Sequence, residues 1–475
     1  MINNLAEAFG LSKDDVGHQR RGAAPCGDQG KLSPFPELFS VRLSPVSGDK
    51  AGDGVPGEPS GPLLCATPDD LGTDPFAESY RKDVLGYFDA FMEEYAPLIE
   101  REVERLFGGG RPRYMVTTGI GANEQFAHFA ASANNRDGGH RLEWLVVDSP
   151  KGLSSLPEDA TVGNTLFVEF SRGGLTEETV KIHEYTPRGA KRIVFSNSGP
   201  LFDLAKRDGN LTLPIPSEVS GRYGRNRTPI LLAPMLIAGM DARRYWGDID
   251  RAVRAFDVSD RGSLPFVIAE FILASQRLHS SNLVYLGCND DGLGLLADQL
   301  IQFWNEGVNK AGNDLIMSRF FGLPRDSHTN IEGILGNHQR KIGVFLLRTD
   351  MRGGAAHPLV SDAIDAIDLG HEGLRLGDEE VVLALANYKR FSELMPTMLI
   401  DVPGEATMTH SAVLGQLFAD VTFVYSRLIG VDPGSNPEIK SVKDLSAKLL
   451  SSAAEELRKP GSTMRGTFQG LCDRG

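Results

Sequence analysis

Six short segments of the chain carry residue types that could handle a charged, oxygen-rich substrate. In LADQLIQFWNEGVNK (296–310), Leu296, Leu300, Phe303, Trp304 and Val308 fall at helical spacing, while Gln302 and Glu306, four apart, share another face. A carboxylate facing a cleft beside a positioning amide can act as a base; with no other context the same pair is a solvated helix face. In GLPRDSHTNIEGIL (322–335), His328 lies in a polar loop and reads as an acid/base candidate or as a plain surface residue. SGRYGRNRTP (220–229) concentrates Arg222, Arg225 and Arg227 on a Gly-flanked turn, where an arginine could stabilise a developing oxyanion or simply be solvated.

Two further segments could hold the anion itself. SRGGLTEETV (171–180) offers Ser171, Arg172, Gly173 and Thr176, with Thr176 placed to cap a helix opening at Glu177. Such a nest suits a phosphate or sulfonate, with Arg172 as a bidentate clamp, and is equally an ordinary helix cap. TTGIGANEQF (117–126) is a Gly-rich turn, but only Gly119 and Gly121 are present and the GxGxxG fingerprint is absent, so no NAD site is expected. The last segment, VDPGSNPEIKSVKDLSAKLL (431–450), places Lys440 and Lys443 on a terminal helix. The ten histidines show neither HExxH nor paired spacing, and no metal site is expected.

These segments need a scaffold, and the pattern from residue 113 onward supplies an α/β one. Short β-branched runs at 114–118, 144–148, 165–170 and 192–196 alternate with helices near 124–132, 177–185 and 201–206. A second round has strands at 282–287, 342–348 and 397–402, with helices at 293–309, 409–428 and 437–455. The expectation is two similar units with parallel sheets covered on both faces, 76–260 and 261–450. An N-terminal extension and linker (1–75) precedes them and a C-terminal tail (451–475) follows. Within the extension, nine of the nineteen residues of SPVSGDKAGDGVPGEPSGP (44–62) are Gly or Pro, a loop composition. Residues 76–107 read as one amphipathic helix.

Composition bounds the function. With 475 residues, 41% hydrophobic and 24% charged, the chain is globular and long enough for two or three domains. A net charge of −14 argues against a general nucleic-acid or anionic-membrane binder, so an anionic substrate must find local positive potential. Cys26, Cys65, Cys288 and Cys472 form no Cys-x-x-Cys pair, which suits a reducing cytoplasm. The first residues lack a basic n-region, and the longest uncharged apolar stretch, 230–240, is short and contains Pro234; neither a signal peptide nor a membrane span is expected.

The order of the six segments resembles the phosphoglucose isomerase family of sugar isomerase (SIS) domain proteins, over residues 76–450. The family's GIGGS turn is similar to Gly119-Ile-Gly-Ala-Asn123, its SKT-x-TT-x-ET loop to SRGGLTEET, and its GGRYS to SGRYG. Its Q-x-x-x-ES-x-GK helix is similar to QFWNEGVNK (302–310), its DQHS to RDSH (325–328), and its NPFDQPGVE-x-x-K to DPGSNPEIKSVK (432–443).

The resemblance implies two SIS-type three-layer αβα units and cofactor-free, metal-free interconversion of an aldose and a ketose, chiefly glucose 6-phosphate and fructose 6-phosphate. By match, Glu306 would move a proton between C2 and C1 through a cis-enediol, and Arg222 would stabilise the enediolate. His328 and Lys443 would assist ring opening, and Gln302 would position substrate. Gly121, Asn123, Ser171, Arg172, Gly173, Thr176 and Asn436 would complete the substrate contacts. In the family the histidine comes from the neighbouring subunit, which implies a homodimer. The chain departs from the pattern at Asn123, Arg172, Gly173, Leu175, Gly307, Asn309, Ser327 and Asn436, so the anion pocket is altered while Glu306, Arg222, His328 and Lys443 remain. An isomerase for another C6-anionic sugar such as sulfoquinovose, or a non-catalytic sensor of sugar phosphates, also fits these residues.

Overall fold

The computed structural model describes residues 32–44, 68–119, 122–136, 142–216, 221–224, 228–310, 313–322, 331–336, 338–350, 376–434, 437–459 and 463–464, some helix and strand residues by backbone alone. The expected Gly- and Pro-rich loop lies almost wholly outside these residues, as do His328, Gly121 and Asn436. Asn123, Arg222 and Lys443 are described by backbone only.

The strands form two five-stranded sheets. The first contains β2 (Tyr114–Thr118), β3 (Glu143–Val147), β4 (Thr165–Phe170), β5 (Lys191–Phe195) and β6 (Leu211–Leu213) in the order β3-β2-β4-β5-β6, all parallel. Its central strands β2 and β4 are buried along their whole length, as strands covered on both faces must be. The second contains β7 (Leu283–Cys288), β8 (Ile316–Gly322), β9 (Lys341–Arg348) and β10 (Thr397–Val402), also mutually parallel, in the order β8-β7-β9-β10. The α/β class with two parallel-sheet units is thus as expected, and the strands foreseen from sequence agree to within about one residue, the usual uncertainty of element ends.

The second sheet has one antiparallel strand. β1 (Ser40–Ser44), inside the stretch expected to be extension and linker, pairs with β10 in the register Ser40↔Asp401 to Ser44↔Thr397. Its Val41 side chain and that of the preceding Phe39 are fully buried in the main core. The chain therefore anchors its N-terminal part on the sheet that is last in sequence.

The single helix expected over 76–107 is three: Pro75–Arg81, Val84–Glu94 and Ala96–Phe107. Asp83 adopts φ 48°, a left-handed conformation that ends one helix, and its carboxylate caps Gly86 N–H at 3.2 Å to start the next. Pro97 occupies the first turn of the third helix, where a missing N–H costs nothing. The apolar stretch 230–240 forms the helix Pro229–Ala238, buried at nine of its ten positions.

Met408–Leu428 is a helix buried at 19 of 21 positions, packed on Ala242–Ala255, Leu264–His279 and Asp291–Val308. Its one carboxylate, Asp420, is fully buried and is met by Arg81 at 2.5 Å, Tyr80 Oη at 2.9 Å and Gln416 Nε2 at 2.9 Å. One core cluster includes residues of both sheets and of this helix, so the two units share a hydrophobic interior.

Candidate functional site

Glu306 and Gln302 lie near the C-terminal end of Asp291–Val308. The helix starts because Asp290 accepts from Leu293 N–H at 3.1 Å. Its rotation is fixed by two sets of partners. Trp304 Nε1 donates to Leu315 O (2.8 Å), and Asn305 exchanges two bonds of 2.8 Å with the Met317 backbone, so this face belongs to β8 and the residues before it. Phe303 packs on Tyr223, with ring centroids 5.4 Å apart, and on Phe126 at 6.2 Å. With 303, 304 and 305 committed, Gln302 and Glu306 are turned into a half-buried strip, and Gln302 Nε2 donates to Glu306 Oε1 at 2.6 Å. The face sharing expected from the four-residue spacing is therefore a direct hydrogen bond to one carboxylate oxygen.

Neighbouring elements come to this end of the helix. Arg136 lies against Gly292, Gln125 against Gln299 and Phe126 against Phe303, so the helix Ala122–Arg136 runs antiparallel to Asp291–Val308. At about 1.5 Å per residue, that crossing sets the start of Ala122–Arg136 level with Glu306. The Arg222 segment arrives through Tyr223, which is almost wholly buried against Phe303, Phe76 and Tyr80. Gly307, one residue after Glu306, is where Tyr223 makes its closest approach: a Cβ there would stand 2.7 Å from Tyr223 Oη and 2.6 Å from Thr422 Cγ2. The serine of the family's pattern would have no room at 307, and glycine lets the Arg222 turn close on the helix. Lys310 Nζ donates to Asp432 O at 3.0 Å, bringing in the loop that precedes Pro437–Leu457, the helix bearing Lys443.

The loop at 171–176 is built differently. β2 and β4 are adjacent, with Thr118 opposite Glu169, so Gly119 and the loop at 171–176 follow from the same edge of the sheet side by side. This pair flanks the point where strand order reverses, the place where open α/β sheets bind ligands. Ser171 N–H bonds Phe195 O at 3.0 Å, Asn197 N–H bonds Arg172 O at 2.9 Å and Leu201 N–H bonds Gly174 O at 3.2 Å. Gly174 (φ 62°) and Gly199 (φ 80°) interlock: a Cβ on the first would overlap Ser198 O, and on the second Gly173 O. Gly173 is exposed with open space beside it.

Thr176 is the residue before the helix Glu177–Tyr185, but its side chain makes no capping bond; it lies 3.0 Å from Ser171 Oγ, which donates to it. The expected cap is replaced by a hydroxyl pair across the loop. Glu177 and Glu178 in the first turn take up the positive end of the helix dipole, and positive charge at the loop itself comes from the half-buried Arg172.

The structure therefore brings Gln302, Glu306, the backbones next to Gly119 and Arg222, and Asp432 and Pro433 to one end of one helix, with Ser171, Arg172, Gly173 and Thr176 on the adjoining sheet edge. Tyr223, Gly174 and Gly199 were not singled out from sequence, and Gly307 was noted only as a departure from the family pattern. Their signal was the packing demand of a Tyr between two arginines and of glycines at turn positions. Among the described residues no group of three or more His, Cys, Asp or Glu side chains could hold a metal ion, and no helix is long and apolar enough to cross a membrane.

No family model matches the chain. A curated sequence described as a probable glucose-6-phosphate isomerase of Haloarcula marismortui is 25% identical over 242 residues, 49% of this chain and 55% of that protein. The chain thus spans about half the length of the curated relative it matches. Among solved structures, a hypothetical protein of Thermus thermophilus matches with a TM-score of 0.62 at 19% identity, over 81% of this chain and 94% of that one. A glucose-6-phosphate isomerase of Chlamydia trachomatis matches with a TM-score of 0.63 at 13% identity, over 93% of this chain and 86% of that one. The resemblance read from the motifs agrees with both the curated relative and the fold.

Proposed function

We propose that this chain, built on the fold shared with a glucose-6-phosphate isomerase, is an aldose–ketose isomerase that interconverts glucose 6-phosphate and fructose 6-phosphate through a cis-enediol. The observation that carries this reading is the Gln302–Glu306 hydrogen bond, at the end of a helix whose rotation is set by packing on both sides. In this mechanism the Glu306 carboxylate takes the C2 proton as electron density moves onto the C1 carbonyl oxygen, then returns a proton to C1 as the carbonyl forms at C2, with the O2 hydroxyl giving up the proton that O1 gains. Arg222 stabilises the enediolate oxygen. Ser171, Arg172, Gly173 and Thr176 hold the anion at C6, and Gly121, Asn123 and Asn436 complete the contacts with substrate. Lys443, with His328 supplied by the neighbouring subunit of a homodimer, assists ring opening.

The open space at Gly173 and a guanidinium at position 172 also favour a second reading, in which the C6 group is a sulfonate. Both readings are tested by proton NMR of the protein incubated in D₂O with glucose 6-phosphate and, in parallel, sulfoquinovose. Ketose formation with deuterium entering at C2 of glucose 6-phosphate supports the first. Turnover of sulfoquinovose alone supports the second, and turnover of neither overturns the isomerase reading for both sugars.

A further inference from the structure

Beneath the 171–176 loop lies a group of ionisable side chains that the proposed proton transfer does not use. Glu169, on β4 two residues before Ser171, is fully buried and is the strand's one charged residue. His183 Nδ1 stands 2.6 Å from Glu169 Oε2, and His183 Nε2 stands 3.3 Å from Asp208 Oδ2. Arg192 of β5 pairs with Glu169 at 3.4 Å and donates to His183 O and Thr186 O. Both ring nitrogens of His183 thus face carboxylate oxygens, which as ions only accept, so satisfying both contacts requires the doubly protonated imidazolium. Burial opposes that charge, but the hydrogen bond and charge of Glu169, helped by Asp208 and resisted by Arg192, hold the ring's pKa above its ordinary 6.5.

The three partners sit on the elements that shape the loop. β4 runs into it and Glu177–Tyr185 leaves it. Asp208 ends the helix Gly199–Arg207, whose first residue interlocks with Gly173 and Gly174. A neutral His183 has one N–H to give. The shorter contact to the fully buried Glu169 retains it, and Asp208, 34% exposed and already paired with Arg207 at 2.8 Å, is released toward water. Release at Asp208 frees the far end of the helix that braces the glycines.

We propose that protonated His183 is a positioning residue of the anion loop: by bridging Glu169 to Asp208 it holds two helices in the arrangement that shapes residues 171–176, and anion affinity falls when the bridge loses its proton. The proposal rests on reading 171–176 as the anion site. The charged groups around His183 are Glu169 from β4, Arg192 from β5, and Asp208 with Arg207 behind it, and the helix Gly199–Arg207 also carries Asp203 and Lys206. Lys151 is the one charged residue of the 3-10 turn Pro150–Ser155 packed against this helix, and the helix itself carries Glu177, Glu178, Lys181 and Glu184. A histidine whose proton is held more tightly when folded contributes its full stabilisation below the unfolded value near 6.5 and loses it as pH rises through the folded value. The loop therefore tightens toward acid and slackens toward alkali.

The test uses the full chain at pH 6.5 and 8.5, measuring hydrogen exchange of peptides covering 171–176 and 199–208, corrected for intrinsic exchange. It also measures the Kd of sulfate, which keeps its charge across this range. In the wild type, protection and affinity should each fall at least threefold at the higher pH. In His183→Gln and Asp208→Ala both should be flat and at the weaker level; Asp208→Ala leaves the Glu169 contact intact and keeps the test open if His183→Gln does not fold. A wild type without pH dependence, or variants that retain it, overturns the proposal. Sulfate binding with a flat exchange profile overturns the proposal alone, whereas no binding of sulfate or glucose 6-phosphate at any pH overturns the anion-loop reading beneath it.

Discussion

The two sheets carry the same order of parallel strands, second-first-third-fourth along each, yet they treat the crevice beside their first strand in opposite ways. Between β2 and β4 the crevice is edged by glycines and hydroxyls, with Gly173 facing open space. Between β7 and β9 it is filled. Asn289 and the Arg348 backbone exchange bonds of 2.9 and 2.8 Å, and Arg348 reaches Asp290 Oδ2 at 3.1 Å and Asp350 O at 2.9 Å. Topology offers a ligand crevice twice, and side-chain chemistry keeps one open and converts the other into a structural lock that also caps the helix bearing Glu306.

Breaking the filled crevice should cost the most. Arg348→Ala leaves Asp290 about one-tenth exposed without its cation, and a loss of about 3 kcal/mol is expected in urea unfolding. Closing the open crevice comes next. Gly174→Ala combines an unfavourable φ of 62° with overlap on Ser198 O, and should cost about 2 kcal/mol together with most of the anion affinity, read by sulfate titration. Gly307→Ala presses on Tyr223 and Thr422 and should cost about 1–2 kcal/mol, lowering turnover because the Arg222 turn shifts. Arg172→Lys exchanges a planar fork for a point charge and should weaken anion binding about tenfold with little change in stability. Gly173→Ala meets no atom within 4 Å, and stability should stay within about 0.5 kcal/mol. A large loss there would mean that the crevice is not open.

Much of this was legible in the sequence, because it is written in local spacing. The strand β4 and the helix Glu177–Tyr185 stand where the alternation predicts them, and Gln302 and Glu306 share a face because they are four apart. What escaped is long-range. β1 gives five residues of pattern, and its partner β10 lies more than 350 residues away. The break at Asp83 depends on a backbone conformation that the apolar spacing of 76–107 does not reveal. The His183 bridge joins positions 169, 183 and 208, yet one signal was visible: a glutamate inside TLFVEF, a central strand where a charge needs a buried partner.

The central claim is that Glu306 moves the proton, and the most direct measurement follows exchange of the C2 proton of glucose 6-phosphate in D₂O by wild type and Glu306→Gln. The variant keeps an acceptor for Gln302 Nε2, so its stability should stay within about 0.5 kcal/mol of wild type. Its exchange rate should fall by about 10²–10⁴-fold. A folded Glu306→Gln protein that exchanges the C2 proton at the wild-type rate would contradict the account.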